Sequence, residues 1–199
     1  MSNLFSKFFY FIISIIIFIF FIFTSIFSTL NINIVDFSYD SNFSEFEISN
    51  DFIWPVPGFT NISSPFGFRK SPTLGASTFH SGIDIPAPEL TSIYAVCDMT
   101  VYFSGWGAGG GYTISVNVNN HLKISYCHVH PNFLPKSGSS FKKGELITKV
   151  GPKNVYGINN NPYKDSNGKP TNGAMTGCHL HITFKENGKA VNPLNYLKK

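Results

Sequence analysis

Gly177-Cys178-His179-Leu180-His181-Ile182-Thr183-Phe184 places apolar residues at every second position with two histidines between them. Such alternation marks a half-buried β-strand, because successive side chains point to opposite faces. Leu180, Ile182 and Phe184 are predicted to face a core, and His179 and His181 to share the other side. Two imidazoles side by side on a rigid strand suit a metal ligand next to a general base. The plain alternative is a half-buried strand whose histidines have no chemical role.

A second stretch, His80-Ser81-Gly82-Ile83-Asp84-Ile85, repeats the alternation. His80, Gly82 and Asp84 fall on one side, and Ser81, Ile83 and Ile85 on the other. A neutral histidine and a carboxylate four positions apart can ligate one cation. With one histidine of the later strand they make a three-ligand site with an open fourth position, the arrangement of catalytic zinc. Taken alone, the pair reads as a surface histidine and an aspartate in a turn. A third stretch, Ile124-Ser125-Tyr126-Cys127-His128-Val129-His130, ends another strand-like run and puts His128 and His130 on one face.

In this order, His80-x-x-x-Asp84, Tyr126-x-His128 and His179-x-His181 resemble the zinc endopeptidases of peptidase family M23, the lysostaphin/LytM type of cell-wall hydrolase. Trp54-Pro55-Val56-Pro57-Gly58 and Ile62-Ser63-Ser64-Pro65-Phe66-Gly67-Phe68-Arg69 look like the entry to that domain. Phe141-Lys142-Lys143-Gly144-Glu145-Leu146-Ile147 and Val191-Asn192-Pro193-Leu194-Asn195-Tyr196-Leu197 look like its later turn and its closing segment. The resemblance covers about residues 52–199 and implies that His80, Asp84 and His181 hold Zn2+. It implies His128 and His179 as the catalytic base and acid, in unassigned order, and the Tyr-x-His match favours His128 over His130. The implied substrate is a peptide bond of bacterial peptidoglycan, in a cross-link or stem peptide. The alternative is an inactive family-like envelope scaffold or activator in division or sporulation. Such members generally lack a ligand, whereas this chain keeps all three, so the enzyme is the preferred reading. In some latent members an upstream asparagine caps the zinc; Asn42 and Asn50 are the residues to try here.

Outward from these motifs, Phe8 to Leu30 carries no charge and is almost entirely Phe and Ile. Residues 1–30 are therefore expected to form one N-terminal transmembrane helix, with a cleaved signal peptide as the rival. Residues 31–51 read as a linker and 52–199 as a single domain. That domain is expected to be all-β, a single antiparallel sheet or sandwich-like fold with long loops. Turns are expected at Asn119-Asn120 and at Glu186-Asn187-Gly188-Lys189. The implied location is the cell membrane, single-pass, with the domain outside the cytoplasm, or secreted if the segment is cleaved.

The family usually has a shorter connection where this chain has residues 152–175. A polar loop of that length before a site strand is expected to line a substrate groove. Asp165-Ser166-Asn167-Gly168 reads as a turn, since its glycine and terminal acid are wrong for a calcium loop. Gly105 to Gly111 lacks the Gly-Lys-Ser/Thr ending of a phosphate loop. A net charge of +4 and a pI near 8.9 fit attraction to an anionic wall or membrane surface. No dense basic run or recognised motif points to nucleic acid. Cys97, Cys127 and Cys178 are expected as buried free thiols, with one disulfide as the rival. Cys127 and Cys178, each next to a site histidine, are expected to point away from the metal. Arg69 reads as a binder of substrate carboxylate or half of an ion pair, Trp54 and Trp106 as packing residues, and His121 as solvated.

Overall fold

The computed structural model describes residues 2–29, 52–73 and 75–198. The linker expected over 31–51, with Asn42 and Asn50, lies outside the described residues. The N-terminal helix and the domain form separate compact units.

The N-terminal unit is α1 (Ser2–Thr29). Its described Phe and Ile side chains are exposed. Among the described residues no helix is long and apolar enough to cross a membrane. This corrects the transmembrane expectation to a helix alone.

The domain is built from antiparallel strands, as expected. β1 (Gly67–Phe68) pairs with β2 (Phe79–His80), and β4 (Ser92–Tyr94) with β9 (Leu146–Lys149). The main sheet has seven strands. Its path runs β11 (Lys189–Val191), β10 (His179–Glu186), β7 (Leu122–Cys127), β6 (Tyr112–Asn117), β5 (Met99–Trp106), β8 (Ser140–Phe141). β3 (Ile83–Pro86) adds to the first half of β10, and β11 to its last three residues.

The alternation seen in the sequence decides which sheet face is buried. Ile83, Ile85, Ile114, Val116, Ile124, Tyr126, Leu180, Ile182 and Phe184 are all fully buried. Each such Ile or Leu contributes roughly 1.5–3 kcal/mol. Phe52 closes the domain by bridging to Leu197 and packing edge-on against Phe184 and Tyr196. Trp54 is buried, and Trp106 packs against Tyr112, so both serve packing. The β10–β11 turn is Asn187-Gly188, both with positive φ, the two-residue hairpin the sequence announced.

Two breaks in strand regularity shape the site. Gly82 separates β2 from β3, and a Cβ there would lie 2.2 Å from the Ile182 carbonyl oxygen. Only glycine lets this corner pack against β10. β7 stops at Cys127 because His128 takes a left-handed backbone, φ 59°. The strand-like run expected to carry Ile124 through His130 is thus a strand followed by a corner.

Candidate metal centre and active site

β10 lies between β3 and β7, and its register delivers the site. His181 stands opposite Asp84 on β3 and opposite Cys127 on β7. Directly opposed residues share a face, so His181 and Asp84 are forced together. His80 reaches the same point from the end of β2. Its Nε2 lies 3.1 Å from Asp84 Oδ1 and 2.9 Å from His181 Nδ1. His181 Nδ1 is 2.8 Å from the same carboxylate oxygen.

The hydrogen bonds on the far side of each ring explain why these atoms converge. His80 Nδ1–H donates to the Pro65 carbonyl at 2.8 Å, leaving a lone pair on Nε2. Thr183 Oγ1 accepts from His181 Nε2–H at 2.9 Å, leaving a lone pair on Nδ1. Arg69 holds Asp84 Oδ2 at 3.1 Å and also donates to Ser64. Arg69 is therefore an ion-pair partner of the site carboxylate. Burial would raise the Asp84 pKa, but the imidazoles of His179, His181 and His80 packed against it outweigh that and hold the carboxyl far below the usual range. Burial lowers the His181 pKa, so its ring is kept neutral.

Three lone-pair atoms thus meet within 3.1 Å in a partly buried pocket, an arrangement that repels itself without a cation. His80, Asp84 and His181 form a metal-capable group among the described residues. Tetrahedral zinc with bonds of 2.0–2.1 Å separates its ligands by about 3.3 Å, close to the spacings found. The donor set of two imidazoles and one carboxylate, with backbone and side-chain acceptors behind the rings, fits zinc.

His128 and His179 stand beside this group, with ring centroids 4.7 Å apart. His179 Nδ1–H donates to the Gly177 carbonyl at 2.8 Å, and its Nε2 lies 3.5 Å from Asp84 Oδ1. His128 Nδ1–H donates to the Asn172 carbonyl at 2.6 Å. Both rings therefore keep a free Nε2 lone pair. Burial, then the neighbouring His179 and His181, push the His128 pKa well below its ordinary value.

Asn172 is the residue that sequence reasoning missed. It is fully buried. Its N–H donates to the Lys153 carbonyl, its Oδ1 accepts from the Tyr112 N–H at 2.8 Å, and its Nδ2 donates to the Val129 carbonyl at 3.1 Å. These bonds fix the carbonyl that orients His128. A Cβ at Gly111, φ 60°, would lie 2.3 Å from Asn172 atoms, so glycine is required where the two segments cross. The local Asn-Gly turn signal at 172–173 is present in the sequence, but the contact with His128 spans 44 positions.

The other histidines and the cysteines take lesser parts. His130 caps a short 3-10 turn, accepting from the Asn132 N–H, and lies 3.7 Å from Glu89; it takes no part in the site. His121 is exposed and bonds Asn187. All three cysteines are free, Cys97 and Cys127 buried and Cys178 half-buried. Burial pushes the Cys97 thiol up to about 12 and the Cys127 thiol up to about 11. One expectation fails: Cys127 lines the site side of β7, because β7 keeps its alternation to the end and His128 departs from it.

A groove of about 870 Å³ runs over the site. Its floor is the sheet face in cross-strand rows. His181, Cys127 and Thr113 make the first row, and Thr183, Ser125 and Ser115 the second. The 152–175 loop contributes only Ala174 and Met175 to the groove. The rest packs on itself, with Asn154 bridged to Thr171 and Asp165 accepting from the Asn167 and Lys169 N–H groups as a turn. The loop expected to line the groove serves mainly to carry Asn172 to His128.

The model of peptidase family M23 matches residues 78–193. The chain is 31% identical over 137 residues to the DD-carboxypeptidase/endopeptidase Mpg of Neisseria meningitidis, covering 69% of this chain and 27% of that protein. It is 29% identical over 136 residues to the peptidoglycan DD-endopeptidase ShyC of Vibrio cholerae, covering 68% of this chain and 27% of ShyC. Its alignment with these two curated relatives thus takes in about a quarter of their length. Among solved structures, a zinc-containing peptidase from Vibrio cholerae superposes with a TM-score of 0.55 at 26% identity, covering 71% of this chain and 39% of the other.

Proposed function

This chain belongs to peptidase family M23, and from that premise we propose that it is a zinc-dependent endopeptidase that hydrolyses peptide bonds in bacterial peptidoglycan. The observation that carries the reading is the set of three converging lone pairs, His80 Nε2, Asp84 Oδ1 and His181 Nδ1, with two further imidazoles beside it. A scaffold needs neither. The names of the similar proteins, peptidoglycan and D,D-peptide hydrolases, support the substrate class.

Zinc bound by His80, Asp84 and His181 would polarise the scissile carbonyl and make water a nucleophile near neutral pH. The protein's own groups supply the proton traffic. His128 and His179 each keep Nδ1 protonated against a backbone carbonyl and offer Nε2 to the groove. One Nε2 takes the proton of the attacking water, and an imidazolium returns a proton to the leaving amine. Arg69 holds the second oxygen of Asp84, so the carboxylate presents one oxygen to the metal group. The sheet floor and the groove walls orient the substrate.

On this reading the domain works outside the cytoplasm, where the proposed substrate lies. The uncharged run from Phe8 to Leu30 and the exposed Phe and Ile of α1 support association with the cell membrane.

Incubation with purified peptidoglycan, followed by mass spectrometry for new amino termini, tests this reading. The expected result is new termini that vanish with a chelator and return with zinc. A folded, zinc-containing chain that yields no new termini on any peptidoglycan would overturn it in favour of a scaffold.

A further inference from the structure

Beyond the hydroxyl row of the groove floor comes a third row, Lys185 on β10 directly opposite Lys123 on β7. Like charges opposed across an antiparallel pair repel, so the fold bears an unfavourable contact here. Among the described residues no carboxylate relieves it. Asp84 is held by Arg69, Asp98 by Lys142, and Asp165 by Lys153. Glu89 lies by His130, Glu145 accepts from the Lys142 N–H, and Glu186 bonds Tyr196. Lys123 instead sits over the Tyr102 ring, 5.1 Å from its centroid. Lys185 is exposed and lines the groove, as does Lys70, which also has no acidic partner among the described residues. Among the described residues lining the groove the one carboxylate, Asp84, is already engaged at the metal-capable group.

We propose that Lys185, backed by Lys123, forms a carboxylate-binding subsite that selects peptides carrying a free carboxylate. The inference rests on the peptidase reading and adds a feature of the substrate. Rows on one strand face are about 6.7 Å apart, so Lys185 lies about 13 Å along β10 from His181. An extended peptide advances about 3.3 Å per residue. Allowing for the reach of a lysine, the recognised carboxylate lies about two to four residues from the scissile bond. Thr183, Ser125 and Ser115 floor the path between, and Ser115 and Ser125 hydroxyls already bond each other at 2.8 Å. An uncharged peptide bridge would leave the lysine row unanswered.

Two synthetic peptidoglycan stem pentapeptides make the test, one with a free glutamyl α-carboxylate and one with that group amidated. Binding to the full chain is read by isothermal titration on a His179→Ala background, which keeps the peptides whole. The free acid is expected to bind about tenfold more tightly. Lys185→Gln should reduce its affinity to that of the amide, while Lys136→Gln, an exposed lysine outside the groove lining, should leave the preference intact. Equal affinity for the two peptides, or a preference that survives Lys185→Gln, overturns the subsite. Cleavage by the chain with His179 intact is scored separately. Equal cutting of both peptides removes the subsite and leaves the peptidase, whereas Lys185-dependent binding with no cutting removes the peptidase and leaves the subsite.

Discussion

The two halves of the site are built by different means. The metal-capable half, Asp84 opposite His181, is a product of sheet register: once β3 pairs with β10, the two side chains must meet. The half proposed for proton transfer depends at His128 on a left-handed corner and a carbonyl carried in by a distant loop. A non-glycine residue in that conformation costs of order 1 kcal/mol and persists only where neighbours over-determine it. Here the His128 N–H donates to Gly110, its carbonyl accepts from the Gly151 N–H, and Asn172 holds its ring. A register can be shared by many chains, while the corner requires Asn172, Gly111 and the 152–175 loop to arrive together.

Substitutions can separate the two halves, and the largest effect belongs to the metal half. Asp84→Ala removes one ligand and leaves Arg69 without its partner, so zinc content and activity should fall together, activity by more than about 10³-fold. Retained zinc with retained turnover would remove Asp84 from the ligand set. His128→Ala and His179→Ala should each keep zinc and lose about 10²–10⁴-fold in turnover. Metal analysis beside a peptide-release assay separates these from the ligand variants.

Smaller effects refine the distinction. Asn172→Ala frees the carbonyl that orients His128 and should lower kcat about 10–100-fold with zinc retained. Thr183→Val should act on the other half, weakening zinc affinity about 10–100-fold, with activity restored at saturating zinc. If both variants lose zinc equally, the halves are not separate.

The smallest effect is on pH-dependent stability. His128 is kept neutral in the fold with its pKa well below 6.5, whereas the unfolded chain binds a proton near 6.5. The unfolded state therefore holds more protons below that pH, and stability is complete above about 6.5 and declines as pH falls. The metal-free chain should lose up to about 1.4 kcal/mol per pH unit for this group. Denaturant midpoints between pH 7 and 5 should flatten by about that slope in His128→Gln.

The same difference explains what the sequence disclosed. The apolar alternation of Leu180, Ile182 and Phe184 fixed the face of β10, while the spacing of His80 and Asp84 pointed to a site shared with one histidine of the later strand, which the family resemblance singled out as His181. Period-2 patterns survive translation into structure because burial enforces them. The break at His128 carries no such pattern, so the sequence suggests the wrong face for Cys127. Asn172 is hidden because its effect runs through backbone and loop contacts far apart in sequence. The 152–175 segment stands out by its length, but only the fold distinguishes a groove wall from a support for His128.

Zinc per chain and turnover, measured together on Asn172→Ala, decide whether the site divides in this way. The expected result is one zinc per chain, as in the unaltered protein, with turnover reduced about 10–100-fold. Zinc lost in step with turnover, or turnover unchanged, would contradict the division.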